Sequence, residues 1–530
     1  VFESCRFVNN SATTGLPGTG GRRGGGAALD PPAFNGSSGT TLSEGTVWGG
    51  AVYQEGASPT FVDCTFINNK AYESYAYSFF SGLYIEDLET EEIVIYSLGG
   101  ALYAAEGTTV APERCTFTGN MNSAIYVPGK SVIDINECSF SKNETSSENS
   151  EFRSYNQFIF LDGEIIDTFD PNEVFDYSGG ALYVGPSCPS VTLRNSQFYS
   201  NKASMQGGAV RLMSDANMVG CSFSGNKAEE DGGAIEAYYS TGDPQNPLKL
   251  QLHLDSCTFG GNQAHEGKYG QGGALHFVDF NAVLTDCYFL GNKAKNGGAM
   301  FLTAGTLTLK GGGVVGNTAL GGSGLDTRIE SQEDLFEDIF DVYDYTSVFD
   351  IYFRSGSGLG AALDTDAVVD VGGGIVCAAT DADIANCTFM DNRAEGVKGA
   401  GGALSFYGGF VGHTVKNCLF KGNWAEREGG AIACGLFATP VVTNSTFVEN
   451  TAERLGGAIF CDWDSDVTVA DSIFLANEKY AIGEENFANS TVEHCLFHEN
   501  SPADFAVADT ETQEINTLAG ADLDVTNIEG

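Results

Sequence analysis

Short runs of alternating apolar and polar residues recur along the chain, and the alternation changes parity in the middle of each run. In Val467-Thr468-Val469-Ala470-Asp471-Ser472-Ile473-Phe474, Val467 and Val469 share one face, whereas Ser472 and Phe474 share a face of opposite parity. Period-two alternation marks a half-buried strand, so the run reads as two strands meeting at a corner at Ala470-Asp471. The break recurs in Val191-Thr192-Leu193-Arg194-Asn195-Ser196-Gln197-Phe198, at Ile384-Ala385-Asn386-Cys387 and at Val415-Lys416-Asn417-Cys418. Asp or Asn often stands there because both tolerate left-handed backbone and close local turns.

The second strand belongs to a phrase, Cys-x-Phe-x-x-Asn, usually followed by Gly-Gly-Ala and an aliphatic residue. Copies include Cys64 to Asn69, Cys221 to Asn226, Cys257 to Asn262 and Cys387 to Asn392, with Gly49-Gly50-Ala51, Gly232-Gly233-Ala234, Gly272-Gly273-Ala274 and Gly456-Gly457-Ala458. Several successive copies of the phrase lie 23 to 31 residues apart. That length suits three short strands and three corners per turn, and it shows no helical period. The Asn three after Phe is expected to make the second corner. Gly-Gly-Ala opens the third strand, where glycine permits positive φ and close backbone approach. A unit of this kind buries its apolar face only by stacking on the next, each strand pairing in parallel with its counterpart about 4.8 Å away. The expected fold is all-β: a single-stranded right-handed parallel β-helix, a solenoid of about fourteen coils over residues 1–500. It should carry a Phe ladder inside, an Asn ladder at one corner and a Gly-Gly-Ala stripe. Residues 501–530 are expected to be an acidic C-terminal tail or cap that continues into a longer protein.

Insertions at about 11–48, 70–98, 144–178 and 318–371 interrupt the rhythm. Each falls between the corner Asn and the next Gly-Gly-Ala, so all should leave one edge of the solenoid. The first is rich in Gly and Ser. The other three mix acids with aromatics, including Tyr75, Tyr77, Phe79 and Phe80, then Phe158 and Phe160, then Phe336, Phe340, Tyr343 and Tyr345. Solvated loops do not need so many large apolar side chains. They either fold back over the side of the coil as a local lid or offer a contact surface to another subunit.

Charge narrows the partners. The chain holds 70 acidic and 26 basic residues, a formal charge of −44. Such a surface repels nucleic acid and anionic membrane. No apolar run is long enough to span a bilayer as a helix. Of the fourteen cysteines, ten occupy the place two before the motif Phe, where other units carry Ser196, Gly312, Ser445 or Ser472. This interchange marks a small buried slot in which Cys acts as a small hydrophobe. The better disulfide candidate is Cys434–Cys461, each five residues after the first Gly of consecutive Gly-Gly-Ala elements. Six Asn-x-Ser/Thr triplets begin at Asn9, Asn35, Asn143, Asn386, Asn444 and Asn489 and are candidate glycosylation sites.

Catalytic constellations are absent from the sequence. The Asn-Thr-Asp, Asp-Asp, Gly-His-Gly and Arg-Ile-Lys elements of pectin-cleaving hydrolases do not occur, nor does a Gly-x-Ser-x-Gly elbow, and the six His form no triad. No cofactor is required by any motif. Calcium is the one ion with candidate ligands, at Asp462, Asp464 and Asp466, although Val467 stands where an EF-hand turn needs Gly.

The paired elements Gly-Gly-Ala-[Ile/Leu/Val] and Phe-x-x-Asn resemble the repeat of the polymorphic outer membrane protein (Pmp) family over about residues 1–500. Ten Gly-Gly-Ala copies at the repeat position carry the resemblance. It implies a right-handed β-helix of the pectin-lyase-like type, displayed outside the cell as an adhesin or structural stalk. The chain departs from bacterial members in having only an acidic tail after Asn500, with no β-barrel translocator. A similar repeat in extracellular proteins of algae and other protists implies a subunit of a surface filament or flagellar hair. The leading expectation is therefore a non-catalytic extracellular rod whose insertions contact like subunits or other surface proteins. An adhesin for host or matrix ligands, glycans included, is the second reading. A polysaccharide lyase or hydrolase is the third.

Overall fold

The stretch from Ile432 to Ala452 shows how one coil is made. A strand at Ile432–Gly435 leads to one at Val441–Thr443, then to Thr446–Val448, and closes with the two-residue strand Thr451–Ala452. Between the middle strands Asn444 has a φ of 49°, and the next corner turns on Glu449 at a φ of 56°. Each strand repeats in the following coil, at Ile459–Cys461, Thr468–Ala470 and Ile473–Leu475, and each pair is parallel and in register. The expected right-handed parallel β-helix is the fold.

The computed structural model describes residues 1–13, 28–29, 45–48, 50–56, 58–72, 95–145, 159–161, 164–167, 178–238, 250–264, 270–321, 372–396, 399–408, 412–462, 465–485, 488–508 and 515–518. The chain forms two compact units, one of residues 1–204 with 209–211 and the other of 205–208 with 212–530. In the first unit the motif Phe7, Phe66, Phe117, Phe140 and Phe198 lie on five second strands. In the second unit nine such strands run from Ser222–Ser224 to Leu496–His498. The last parallel strand of the third sheet, Phe505–Ala508, is followed by an antiparallel partner, Ile515–Leu518.

The interior is a set of columns. Phe66, Phe117, Phe140 and Phe198 stack at ring separations of 4.6 to 4.7 Å and within 3° of parallel. In the second unit Phe389, Phe420, Phe447 and Phe474 repeat this at 4.7 to 4.8 Å. These side chains are at most 1% exposed, so each contributes roughly 2–3 kcal/mol of burial. Val314 takes the Phe place between Phe289 and Phe389.

The corners refine the expectation from sequence. The first turns on a left-handed Asp or Asn where expected, as at Asn195, Asn386, Asn417 and Asp471. At the second corner the left-handed residue is the one before the Asn, such as Asn68, Asp391, Glu449 or Ala476. The Asn itself points inward. Asn262 receives bonds at its Oδ1 from the backbone N–H and Nδ2 of Asn226, and its own Nδ2 donates to Phe223 O and Asn292 Oδ1. A fourth short strand then follows, as at Lys293–Ala294, Thr318–Ala319 and Arg393–Ala394, with each Ala fully buried. The three-strand reading missed it. In the Gly-Gly element the two glycines do different work. Gly232 has a φ of +63°, whereas a Cβ on Gly233 would lie 2.1 Å from Gly273 O.

Candidate functional site

Chemistry-bearing side chains gather on the outward face of the third sheet in the second unit. Glu236 and His276 are register partners on neighbouring strands, and His276 Nδ1 lies 2.7 Å from Glu236 Oε2. Asp231, on the loop before the Glu236 strand, places Oδ2 4.0 Å from the same nitrogen and accepts the Gln271 N–H at 2.8 Å. Phe301 of the next strand packs on the imidazole at 5.7 Å. Burial pushes the Asp231 carboxyl up to about 7, with His276 pulling against it. A histidine between two carboxylates has the composition of an acid–base site. Yet the three residues are only 1–8% exposed, which fits a buried polar tie between coils better than a substrate cleft.

A second cluster is ionic. Arg454 donates to Glu428 Oε1 at 2.6 Å and to both oxygens of Glu485 at 2.6 Å. Glu428 and Glu485 are buried, and Arg427 also approaches Glu428 Oε1, at 3.2 Å. Burial raises the Glu428 carboxyl, and the two arginines oppose that rise. The bidentate fork of Arg454 suits this role, because one guanidinium holds carboxylates of two other coils at once.

The residues singled out in the sequence scatter. Asp464 and Asn35 lie outside the described residues. Asp466 accepts the Asn489 backbone N–H at 2.9 Å, so one of its oxygens is already engaged. Among the described residues no group of three His, Cys, Asp or Glu side chains could hold a metal ion. Cys434 and Cys461 are register partners, but they are free thiols and not a disulfide. Strand spacing of about 4.8 Å sets such neighbours wider than the Cβ separation that a bridge needs.

Asn143 corrects another expectation. It is a rung of the Asn ladder, fully buried, with Nδ2 bonded to Phe117 O and Asn201 Oδ1 at 3.0 Å. A glycan on that nitrogen is incompatible with this fold. Asn9, Asn386, Asn444 and Asn489 are exposed at corners.

Of the insertion aromatics, only Phe160 falls among the described residues, and only its backbone. It pairs with Ile165 in the antiparallel hairpin Ile159–Leu161 and Glu164–Asp167. Tyr75, Tyr77, Phe79, Phe80, Phe158, Phe336, Phe340, Tyr343 and Tyr345 lie outside them. The returning ends of the first two insertions, Gly45–Trp48 and Ile95–Leu98, pair in parallel, and Ala28–Leu29 adds antiparallel to the first. Sequence reading also missed a tyrosine column on the outward face of the third sheet in the first unit. Tyr53, Tyr103, Tyr126 and Tyr183 stack at 5.6, 5.8 and 4.2 Å, signalled only by an aromatic two places after Gly-Gly-Ala or, for Tyr126, after Asn122-Ser123-Ala124.

No described helix is long and apolar enough to cross a membrane. No curated protein matches the sequence. The family model described as right handed beta helix region matches residues 84–249, 142–319 and 372–520, more than half of the chain. With its parallel sheets and in-register ladders, the chain belongs to the right-handed β-helix family.

Proposed function

We propose that the protein is a non-catalytic extracellular structural element, a subunit of a cell-surface filament, appendage or stalk, assembling through its acidic-aromatic insertions. The observation that carries this reading is how the polar groups are used. Asn262, Glu236, His276, Glu428 and Arg454 all bond to a neighbouring coil, so the chemistry of the repeat serves stacking. The pairing of Gly45–Trp48 with Ile95–Leu98 supports insertions that organise beside the coil. The Pmp-like form of the repeat supports display at the cell surface. With a charge of −44, calcium would act by screening acidic faces between subunits.

Electron microscopy of native material with and without calcium chelation tests the reading. Ordered filaments with the insertions at subunit contacts are the expected result, with loss on chelation if calcium bridges the acidic faces. Isolated particles in both conditions overturn it and direct attention to ligand screens for an adhesin.

A further inference from the structure

The second sheet presents strands without acidic residues in both units, and its longer run lies in the second unit. The nine strands of that run read SFS, TFG, YFL, GVV, TFM, LFK, TFV, IFL and LFH, and none contains Asp or Glu. Neighbouring first strands carry Asp255, Asp381, Asp383 and Glu493. The central residue of each strand points inward, so the two flanking residues form two outward columns in unbroken register. Large apolar members stand in solvent: Tyr288 is 48% exposed, Leu496 46%, Leu290 41% and Ile473 41%.

We propose that this face pairs with the same face of a second copy of the chain, about a two-fold axis parallel to the strands through Thr388–Met390. The size pattern along the first of these columns argues for the second copy. Such an axis reverses coil order and keeps each column opposite itself. Ser222 then faces Leu496, Thr258 faces Ile473, Tyr288 faces Thr446 and Gly313 faces Leu419, a small residue against a large one in every case. In the other column Gly260 faces Leu475, while Leu290 faces Val448, Val315 faces Lys421 and Met390 faces itself. Two flat sheets separated by about 10 Å interdigitate in this way.

Charge argues in the same direction. Two chains of −44 repel over most of their surfaces, and these strands themselves bring no carboxylate to the contact, although exposed Asp286, Asp391, Glu449, Asp471 and Glu499 border them and Asp391 meets its own copy next to the axis. Lys421, the cation within the strip, has its partner Glu449 at 3.5 Å in its own chain. Nine strands at about 4.8 Å and three residues of width give roughly 400 Å² per copy. That is about half of a standard interface, so the pair forms reversibly with concentration. This contact is separate from the insertions, and its failure leaves the filament reading to its own microscopy test.

Sedimentation velocity of the full chain over a wide concentration range, at low and high salt, tests the proposal. A monomer–dimer equilibrium that tightens with salt is expected, because screening weakens the repulsion and leaves the apolar contact. Gly260→Glu is the discriminating variant. A Cβ there meets nothing in its own chain closer than Leu290 O at 3.9 Å, so circular dichroism and melting should be unchanged. Its carboxylate opposite Leu475 should weaken dimerisation at least about tenfold. In Met390→Cys the new thiol lies on the axis, and a bifunctional maleimide should join two copies. Ser224→Cys, placed opposite His498, should not cross-link with itself. A monomer at every concentration, wild-type association of Gly260→Glu, or equal cross-linking of the two cysteine variants overturns the proposal.

Discussion

Asn292 directs its backbone N–H and its side-chain Nδ2 to one atom, Asn317 Oδ1, at 2.8 and 2.9 Å. Asn317 in turn donates to Phe289 O at 3.0 Å and to Asn392 Oδ1 at 3.0 Å. One amide thus satisfies two donors and a carbonyl of the preceding coil and bonds to the next coil as well. Asn317→Leu strips those partners while keeping the volume. It should cost about 3 kcal/mol, because several buried polar groups are left unpaired together. Urea unfolding monitored by circular dichroism measures the loss.

Gly233 and Gly260 should respond oppositely to one methyl group. A Cβ on Gly233 would sit 2.1 Å from Gly273 O and 2.5 Å from Gln263 C, both backbone atoms that cannot rotate away. Gly233→Ala should destabilise by about 3 kcal/mol or fail to fold. Gly260→Ala points to solvent and should lie within about 0.5 kcal/mol of wild type. Paired thermal melts decide.

His413 is a buried acid sensor of stability. It is 1% exposed, its ring lies 4.5 Å from Phe406, and neither ring nitrogen has a hydrogen-bond partner. Burial pushes its pKa down to about 4, with Asp381 opposing. The folded value lies below the unfolded one near 6.5, so the folded state binds fewer protons in between. Stability is therefore fully present above about 6.5 and falls as pH drops towards 4, by roughly 3 kcal/mol in all. His413→Leu should remove that dependence, seen as unfolding curves that converge less on acidification than those of wild type.

Arg454→Met should be costly at neutral pH and partly rescued by acid. It leaves the buried Glu428 and Glu485 carboxylates without their shared guanidinium, a loss of about 3–5 kcal/mol. Lowering the pH protonates Glu428, whose carboxyl burial already raises, and narrows the gap to wild type. Melting temperatures at pH 7 and pH 5 test both parts.

The columns were legible because each repeats in phase. Phe223 and Phe259 stand at the same place in their phrases, and in-register stacking follows from that spacing. The αL corners at Asn195 and Asp471 were legible for the same reason, since Asn and Asp advertise that conformation. Asn262 was placed at a corner, but its inward amide was not foreseen, because turn propensity and ladder bonding select the same residue. The short fourth strand was overlooked although Asn-x-Ala recurs. Two residues carry no period, and only burial of the Ala reveals it. Glu236 and His276 were not associated, since they lie 40 residues apart and interrupt an apolar column only locally. The insertion aromatics carried composition without period, which predicts no register.

The hydrogen bond between Asn317 and Asn392 spans 75 residues, yet its length of 3.0 Å matches the 2.9 Å between Asn262 and Asn292, which are 30 apart. The ladder senses only where a coil begins and ends. Doubling the intervening chain costs about 0.6 kcal/mol of closure entropy, small beside the columns it joins. Lineages could therefore lengthen, shorten or replace the polypeptide between Gly321 and Gly372 while the scaffold stays constant, which makes that junction a natural splice point for new binding modules.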